Sequence, residues 1–164
     1  MKLLRFAILG AMVLLCCACK STPEESRWLL RFGSYETLGQ VRCIERCASV
    51  EAQYNFTSMQ GDDILFEHRG IQAISHLAGQ AQRLRIVTLE DDSSRNTQQV
   101  RVGELIYAAY ICDAVTRDGF LLTQRCHSQP AFAIDVQVNT YKQPIALSQW
   151  VPYLQQTITL TRVN

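Results

Sequence analysis

The sequence predicts an α+β domain in which one helix packs on a mainly antiparallel sheet, stapled by two disulfides. Three observations carry that expectation. Between residues 70 and 84, Ile71, Ile74, Leu77, Ala78, Ala81 and Leu84 recur at three- and four-residue spacing, with Gln72, Ser75, Gln80, Gln82 and Arg83 on the other side. That is the apolar stripe of an amphipathic helix. Phe132, Ile134, Val136 and Val138 alternate with Ala133, Asp135, Gln137 and Asn139, as a half-buried strand requires. Cys43, Cys47, Cys112 and Cys126 supply four thiols for two bridges.

The elements follow in order. Residues 27–32 and 39–44 read as strands separated by Gly33-Ser34, and 45–63 is irregular up to the turn-like Gly61-Asp62-Asp63. The helix spans 70–83. A strand over 85–90 follows, then a polar loop over 91–99 without an apolar residue. Residues 100–112 form a long strand, with a bulge fitting at Val102 and Gly103. Thr116-Arg-Asp-Gly119 signals a hairpin leading into a strand over 120–126. After the strand over 132–138, residues 148–155 read as a short helix or a loop interrupted by Pro152, and 157–163 as a final strand. There is no internal repeat.

The chain has 164 residues, room for one domain of ordinary size. Of its hydrophobic residues, 15 fall in the first 18 positions; the rest of the chain, at 63 in 146, has the composition of a water-soluble domain. Without Lys2 and Arg5 the balance is 14 basic against 15 acidic side chains. Such neutrality argues against nucleic acid, whose binding depends on neutralising phosphates, and against a charge-driven membrane-surface role.

Residues 1–18 have the build of a secretory signal: Lys2 and Arg5, an apolar run over 6–15, then Cys16, Cys17, Ala18 and Cys19. The uncharged stretch over 6–19 is too short to span a hydrocarbon core of ~30 Å. A core ending in a small residue and then Cys resembles the lipobox of bacterial lipoproteins. Ala18 is the small residue before the cut, which selects Cys19; Cys16 follows Leu15 and Cys17 follows Cys16. The resemblance implies diacylglyceryl on the Cys19 thiol, an acylated amine (palmitate in character) and, with Lys20 rather than Asp next, export to the outer membrane. The lipid bilayer is then a partner through the acyl anchor. The organisation is thus 1–18 signal peptide, 19–26 lipidated cysteine and short tether, and 27–164 a single periplasm-facing domain.

In that oxidising space the four remaining cysteines read as disulfides. Bridges from the Cys43/Cys47 segment to the Cys112/Cys126 hairpin are favoured; Cys43–Cys47 with Cys112–Cys126 is the open alternative. Long loops would contribute on the order of 4 kcal/mol each. A four-cysteine zinc site fits poorly, because Cys112 and Cys126 are not a close pair.

Several segments resemble small disulfide-bonded envelope lipoproteins, including the sensor lipoprotein of the Rcs phosphorelay. They are Leu38-Gly-Gln-Val41 before Cys43, the helix over 71–84, Ile86-Val-Thr-Leu89, and Glu104-Leu-Ile-Tyr-Ala-Ala-Tyr-Ile-Cys112. The resemblance implies a disulfide-stabilised domain that works by contacting other envelope proteins.

Catalytic patterns are missing: no H-E-x-x-H, G-x-S-x-G, P-loop or S-x-x-K. Cys126 and His127, adjacent on a strand, would point to opposite faces and could not share a proton. His68 and His76, with Glu67 or Asp63, could be arranged as a metal site, though a surface His68 and an ordinary His76 is the simpler reading. Asp62-Asp63 and Asp91-Asp92 read as solvated loop carboxylates. Asn55-Phe-Thr57 matches a glycosylation acceptor, which means little in a bacterial envelope. Tyr107 suits a core position and Tyr110 an exposed one. Trp150-Val-Pro-Tyr-Leu154 is the stretch suited to partner contact through Trp150 and Tyr153.

The sequence therefore points to a non-enzymatic outer-membrane lipoprotein without cofactor. It acts by protein–protein contact as a subunit or assembly factor of an envelope complex for secretion, conjugation, pilus building or stress sensing. A periplasmic enzyme or enzyme inhibitor is the alternative, favoured if His68, His76 and acidic groups share a cleft.

Overall fold

Ala78 and Gly79 both adopt positive φ, at 51° and 79°, and they turn the chain back on itself between two strands. The expected helix over 70–83 is therefore absent. In its place are β5 (Gly70–Leu77) and β6 (Gln80–Glu90), joined by a two-residue hairpin. The computed structural model describes residues 26–90, 95–127 and 130–163. The fold is all-β, not α+β: every regular element among the described residues is a strand. Cys19, the signal stretch, and Asp91 and Asp92 lie outside the described residues.

The helical spacing has a specific origin. In β5 the inward side chains are Ile71, Ile74 and Leu77, three apart instead of two. Phe66 and Leu65 of the preceding strand pair with Ile71 and Ala73, skipping Gln72; Ile64 and Asp63 pair with Ile74 and His76, skipping Ser75. Each skipped residue is a β-bulge, which shifts the inward parity by one. Two bulges in succession thus imitate a helix stripe.

The other strands are β1 (Arg27–Phe32), β2 (Tyr35–Glu45), β3 (Gln53–Ser58), β4 (Asp63–Glu67), β7 (Arg95–Val102), β8 (Leu105–Asp113), β9 (Thr116–Asp118), β10 (Leu121–His127), β11 (Phe132–Val138), β12 (Pro144–Val151) and β13 (Gln156–Val163). All pairings are antiparallel, and the sheet closes on itself. Its circular order is β1 to β8, then β10 to β13, then β1 again; β9 continues the edge of β10 that β8 leaves. Strands β3 and β7 lie where irregular chain and polar loop were expected, and of the short helix or loop expected over 148–155, residues 148–151 belong to β12 and 152–155 form a turn.

The barrel is flattened and filled, with β5 packed against β11 and β12 across the interior. Trp28, Phe56, Phe66, Ile64, Ile134, Leu147, Ile158 and Leu160 occupy the inside, and Phe66 touches both Trp28 and Tyr54 by ring contact. Outward positions carry charge, among them Arg31, Glu36, Arg42, Arg83, Arg85 and Arg125. That arrangement is the inverse of a membrane-spanning barrel, which is apolar outside and polar within.

One buried polar contact crosses the interior where β5 meets β12. Gln149, buried on β12, accepts the Ile71 N–H through Oε1 at 2.7 Å. The side chain reaches it over Gly70, whose φ is 107°. A Cβ there would collide with Gln149 Oε1 and stand 2.8 Å from Ile134 Cγ2. Gly70→Ala combines backbone strain with overpacking, so it should destabilise the fold by about 2–4 kcal/mol. Urea unfolding checks this, and an unchanged midpoint would refute the tight crossing.

Candidate functional site

An antiparallel meander puts successive turns at alternate ends, so topology sorts the loops. The chain enters β1 at Arg27, and the connections over 46–52, 68–69, 114–115, 119–120 and 139–143 share that end. The turns over 33–34, 59–62, 78–79, 103–104 and 152–155 lie at the far end.

Four functional expectations concern cysteine and histidine. Among the described residues there are two disulfides, Cys43–Cys47 and Cys112–Cys126. The favoured bridging between the two segments is corrected to the local alternative. Cys43 and Cys47 close the bend after β2, whereas Cys112 on β8 faces Cys126 on β10 directly across the ladder. Cys126 is buried and His127 points outward, where Nε2 lies 2.7 Å from Asp113 Oδ2, so no thiol–imidazole pair exists. His68 sits in the β4–β5 turn at the entry end, while His76 lies near the far end of β5 opposite Asp63. The two histidines are thus kept apart, and His76 stands on a strand and not in the expected helix.

His68 lies at a cleft of about 420 Å³ at the entry end, lined also by Glu45, Arg46, Glu51, Glu67 and Arg69. Its Nε2–H donates to the Lys142 carbonyl at 2.7 Å, joining the β4–β5 turn to the β11–β12 turn across the mouth. Arg46 pairs with Glu51 at 2.5 Å and Arg69 with Glu90 at 3.1 Å. Glu67 is different: burial raises its carboxyl above the usual range, against the pull of the Arg69 and His68 charges.

Asp62 is no solvated loop carboxylate. It is buried, and it accepts hydrogen bonds from the Tyr35 hydroxyl (2.8 Å), the Ser58 hydroxyl (2.5 Å) and the Ala78 N–H (2.7 Å). It thereby ties together three elements at the far end. Burial, then the bond to Asp62 and its charge, raise the pKa of Tyr35.

The aromatic expectations are partly reversed. Tyr110 packs inward against Phe132, with ring centroids 5.5 Å apart, and Tyr107 is exposed. Val100 pairs with Ala108 and Arg101 with Ile106, so Tyr107 itself is the bulge, displaced from the expected Val102–Gly103. Gly103 instead serves the β7–β8 turn with φ 60°. The bulge places Ile106 on the outward face with Arg101, and Leu105 overhangs the core with 75% of its surface exposed. Tyr153, in the β12–β13 turn, meets Tyr107 edge to face at 5.1 Å. Trp150 is half-buried on the outer side of β12. Leu105, Ile106, Tyr107 and Tyr153 together form an exposed apolar cluster at the far end.

The architecture is that of a closed, filled, antiparallel barrel with two local disulfides. Its fold is similar to that of a solved bacterial lipoprotein, the hypothetical lipoprotein YmcC from Escherichia coli K12. The match has a TM-score of 0.55 at 10% identity and covers 86% of this chain and 84% of that chain. No family model matches the sequence, and no curated protein does. The Rcs sensor resemblance leaned on the helix over 71–84, which is two strands.

Two outcomes follow from the site geometry. Mild reductant under native conditions should free Cys43 and Cys47, which are partly or fully exposed, while the buried Cys112–Cys126 pair resists until the chain unfolds. Alkylation and mass measurement distinguish this from simultaneous release of all four thiols. A folded carboxyl with a raised pKa holds its proton more tightly than in the unfolded chain, so the Glu67 charge costs stability at neutral pH and that cost fades as pH falls. Glu67→Gln should raise Tm by about 1–3 °C at pH 7, with the gap narrowing towards pH 4. A Tm below the parent at pH 7 would refute it.

Proposed function

We propose that this protein is a non-enzymatic outer-membrane lipoprotein that acts through protein–protein contact as a subunit or assembly factor of an envelope complex. The observation that carries the reading is the apolar cluster of Leu105, Ile106, Tyr107 and Tyr153 at the far end. Aromatic side chains on short, hydrogen-bonded turns offer large contact area at low entropic cost, as interface hot spots do. The cluster lies opposite the end at which the chain enters from residues 19–26, so a domain anchored through acylated Cys19 presents it towards the periplasm. The fold shared with a hypothetical lipoprotein agrees with an envelope location.

The enzyme or inhibitor alternative asked for His68, His76 and acidic groups in one cleft. The histidines occupy opposite ends, and the arginines of the His68 cleft are already paired with its carboxylates. The contact reading is therefore the one we retain.

In-cell photocrosslinking from positions 107 and 153 tests it. A defined envelope partner should be captured, and Leu105→Asp with Tyr153→Asp should lower its recovery about tenfold or more while Tm stays within about 2 °C. Undiminished recovery from the double variant would refute the cluster as the contact.

A further inference from the structure

The entry end carries exposed apolar side chains of its own, and they sit on rigid tips. Tyr141 is 83% exposed in the β11–β12 turn. Asn139 Oδ1 accepts the N–H groups of Tyr141 and Gln143 there, and His68 holds the Lys142 carbonyl. Phe120, 54% exposed, stands at the β9–β10 turn, where its carbonyl accepts the Val138 N–H at 2.8 Å and so fixes it beside the Tyr141 turn. Ile44, at the end of β2, and Val50, in the disulfide-closed bend after it, are exposed, Val50 by 66%, and Val115 lines the same cleft as Val50. Arg117 and Lys142 are interleaved with them, while Arg46 is paired with Glu51.

The geometry points to a second membrane attachment: the loop tips at the entry end insert into the headgroup layer of the bilayer that holds the chain. This rests on the reading of Cys19 as the acylated anchor. The occupant follows from the length of the leading segment and where it joins the fold. The tether over 20–26 reaches at most ~25 Å when extended. It joins at Arg27, level with Gln40, and β2 runs on from there to Glu45, an overhang of roughly 17 Å. The β11–β12 turn also projects past the entry point, because Pro144 begins β12 beside the end of β13. With one end of the tether at the bilayer surface, these tips have little room to stay clear of it. Amphipathic aromatics flanked by cations suit that interface, burying apolar surface to a depth of about 5–10 Å. The apolar cluster at the far end then faces away from the membrane.

The test uses the full chain purified from its host in detergent and reconstituted into vesicles of phosphatidylethanolamine and phosphatidylglycerol, with or without bromine on the acyl chains. Tyr141→Trp and Phe120→Trp each add one reporter to the native Trp28 and Trp150, and Tyr107→Trp reports on the far end. Brominated lipid should reduce the added emission at positions 141 and 120 by about half and leave that at 107 unchanged. Intact mass of the same sample reads acylation of Cys19 separately. An acylated chain that floats with the vesicles but shows no quenching at 141 and 120 overturns the docking surface and leaves the anchor. Quenching at both positions in an unacylated chain removes the anchor and leaves the docking surface. Equal quenching at 107, 120 and 141 overturns the orientation and with it the proposal.

Discussion

The architecture depends on closure of one hydrogen-bond ladder at its weakest join. Among the described residues, β8 meets β10 at two residue pairs only, Cys112 with Cys126 and Ile111 with His127. The disulfide lies in the first of these, with Cα atoms 4.0 Å apart, the close approach of directly opposed antiparallel residues. Beneath it, Gln98 donates to Gln124 Oε1, and Gln124 donates to the Asp113 carbonyl, so buried amides bind β7, β8 and β10 together. Towards the far end the seam is filled by side chains, with Tyr110 packed on Phe132. Open this join and two edges with unpaired backbone groups are exposed at once.

The local pairing of cysteines follows from the same logic. A bridge spanning fourteen residues contributes on the order of 3 kcal/mol in the chain-entropy model, and one spanning four residues contributes less. The larger gain is placed where the ladder is thinnest. The smaller one stiffens a bend that carries exposed Ile44 and Val50, where packing supplies little.

Strands with undisturbed alternation were legible in the sequence: β1 and β11 occupy the expected residues. The helix expectation failed because periodicity reports inward spacing, and the bulges at Gln72 and Ser75 changed that spacing from two to three. Ala78-Gly79, both tolerant of a left-handed turn, was the signal that could have found the hairpin. Strand β7 was hidden because its inward residue Gln98 is polar and is satisfied by a partner 26 residues away. The exposed apolar cluster was half legible. Tyr153 stood out as an aromatic beside Pro152, but Tyr107 read as core and Tyr110 as exposed, the reverse of their facing, and the bulge at Tyr107 that turns Ile106 outward left no mark in the sequence. The loop tips at the entry end share no pattern in the sequence; only topology gathers them.

Strands β1 and β13, the most distant in the described chain, are direct neighbours, with Arg27 opposite Val163. Every other pairing joins strands near in sequence, so those hairpins can form as the polypeptide emerges. The ring itself cannot close until β13 arrives. A chain that emerges from its N-terminal side therefore holds β1 unpaired on one flank until the last strand is made. The timing of maturation is set by the last eight-residue strand, and loss of that strand strips β1 and β12 of a neighbour together.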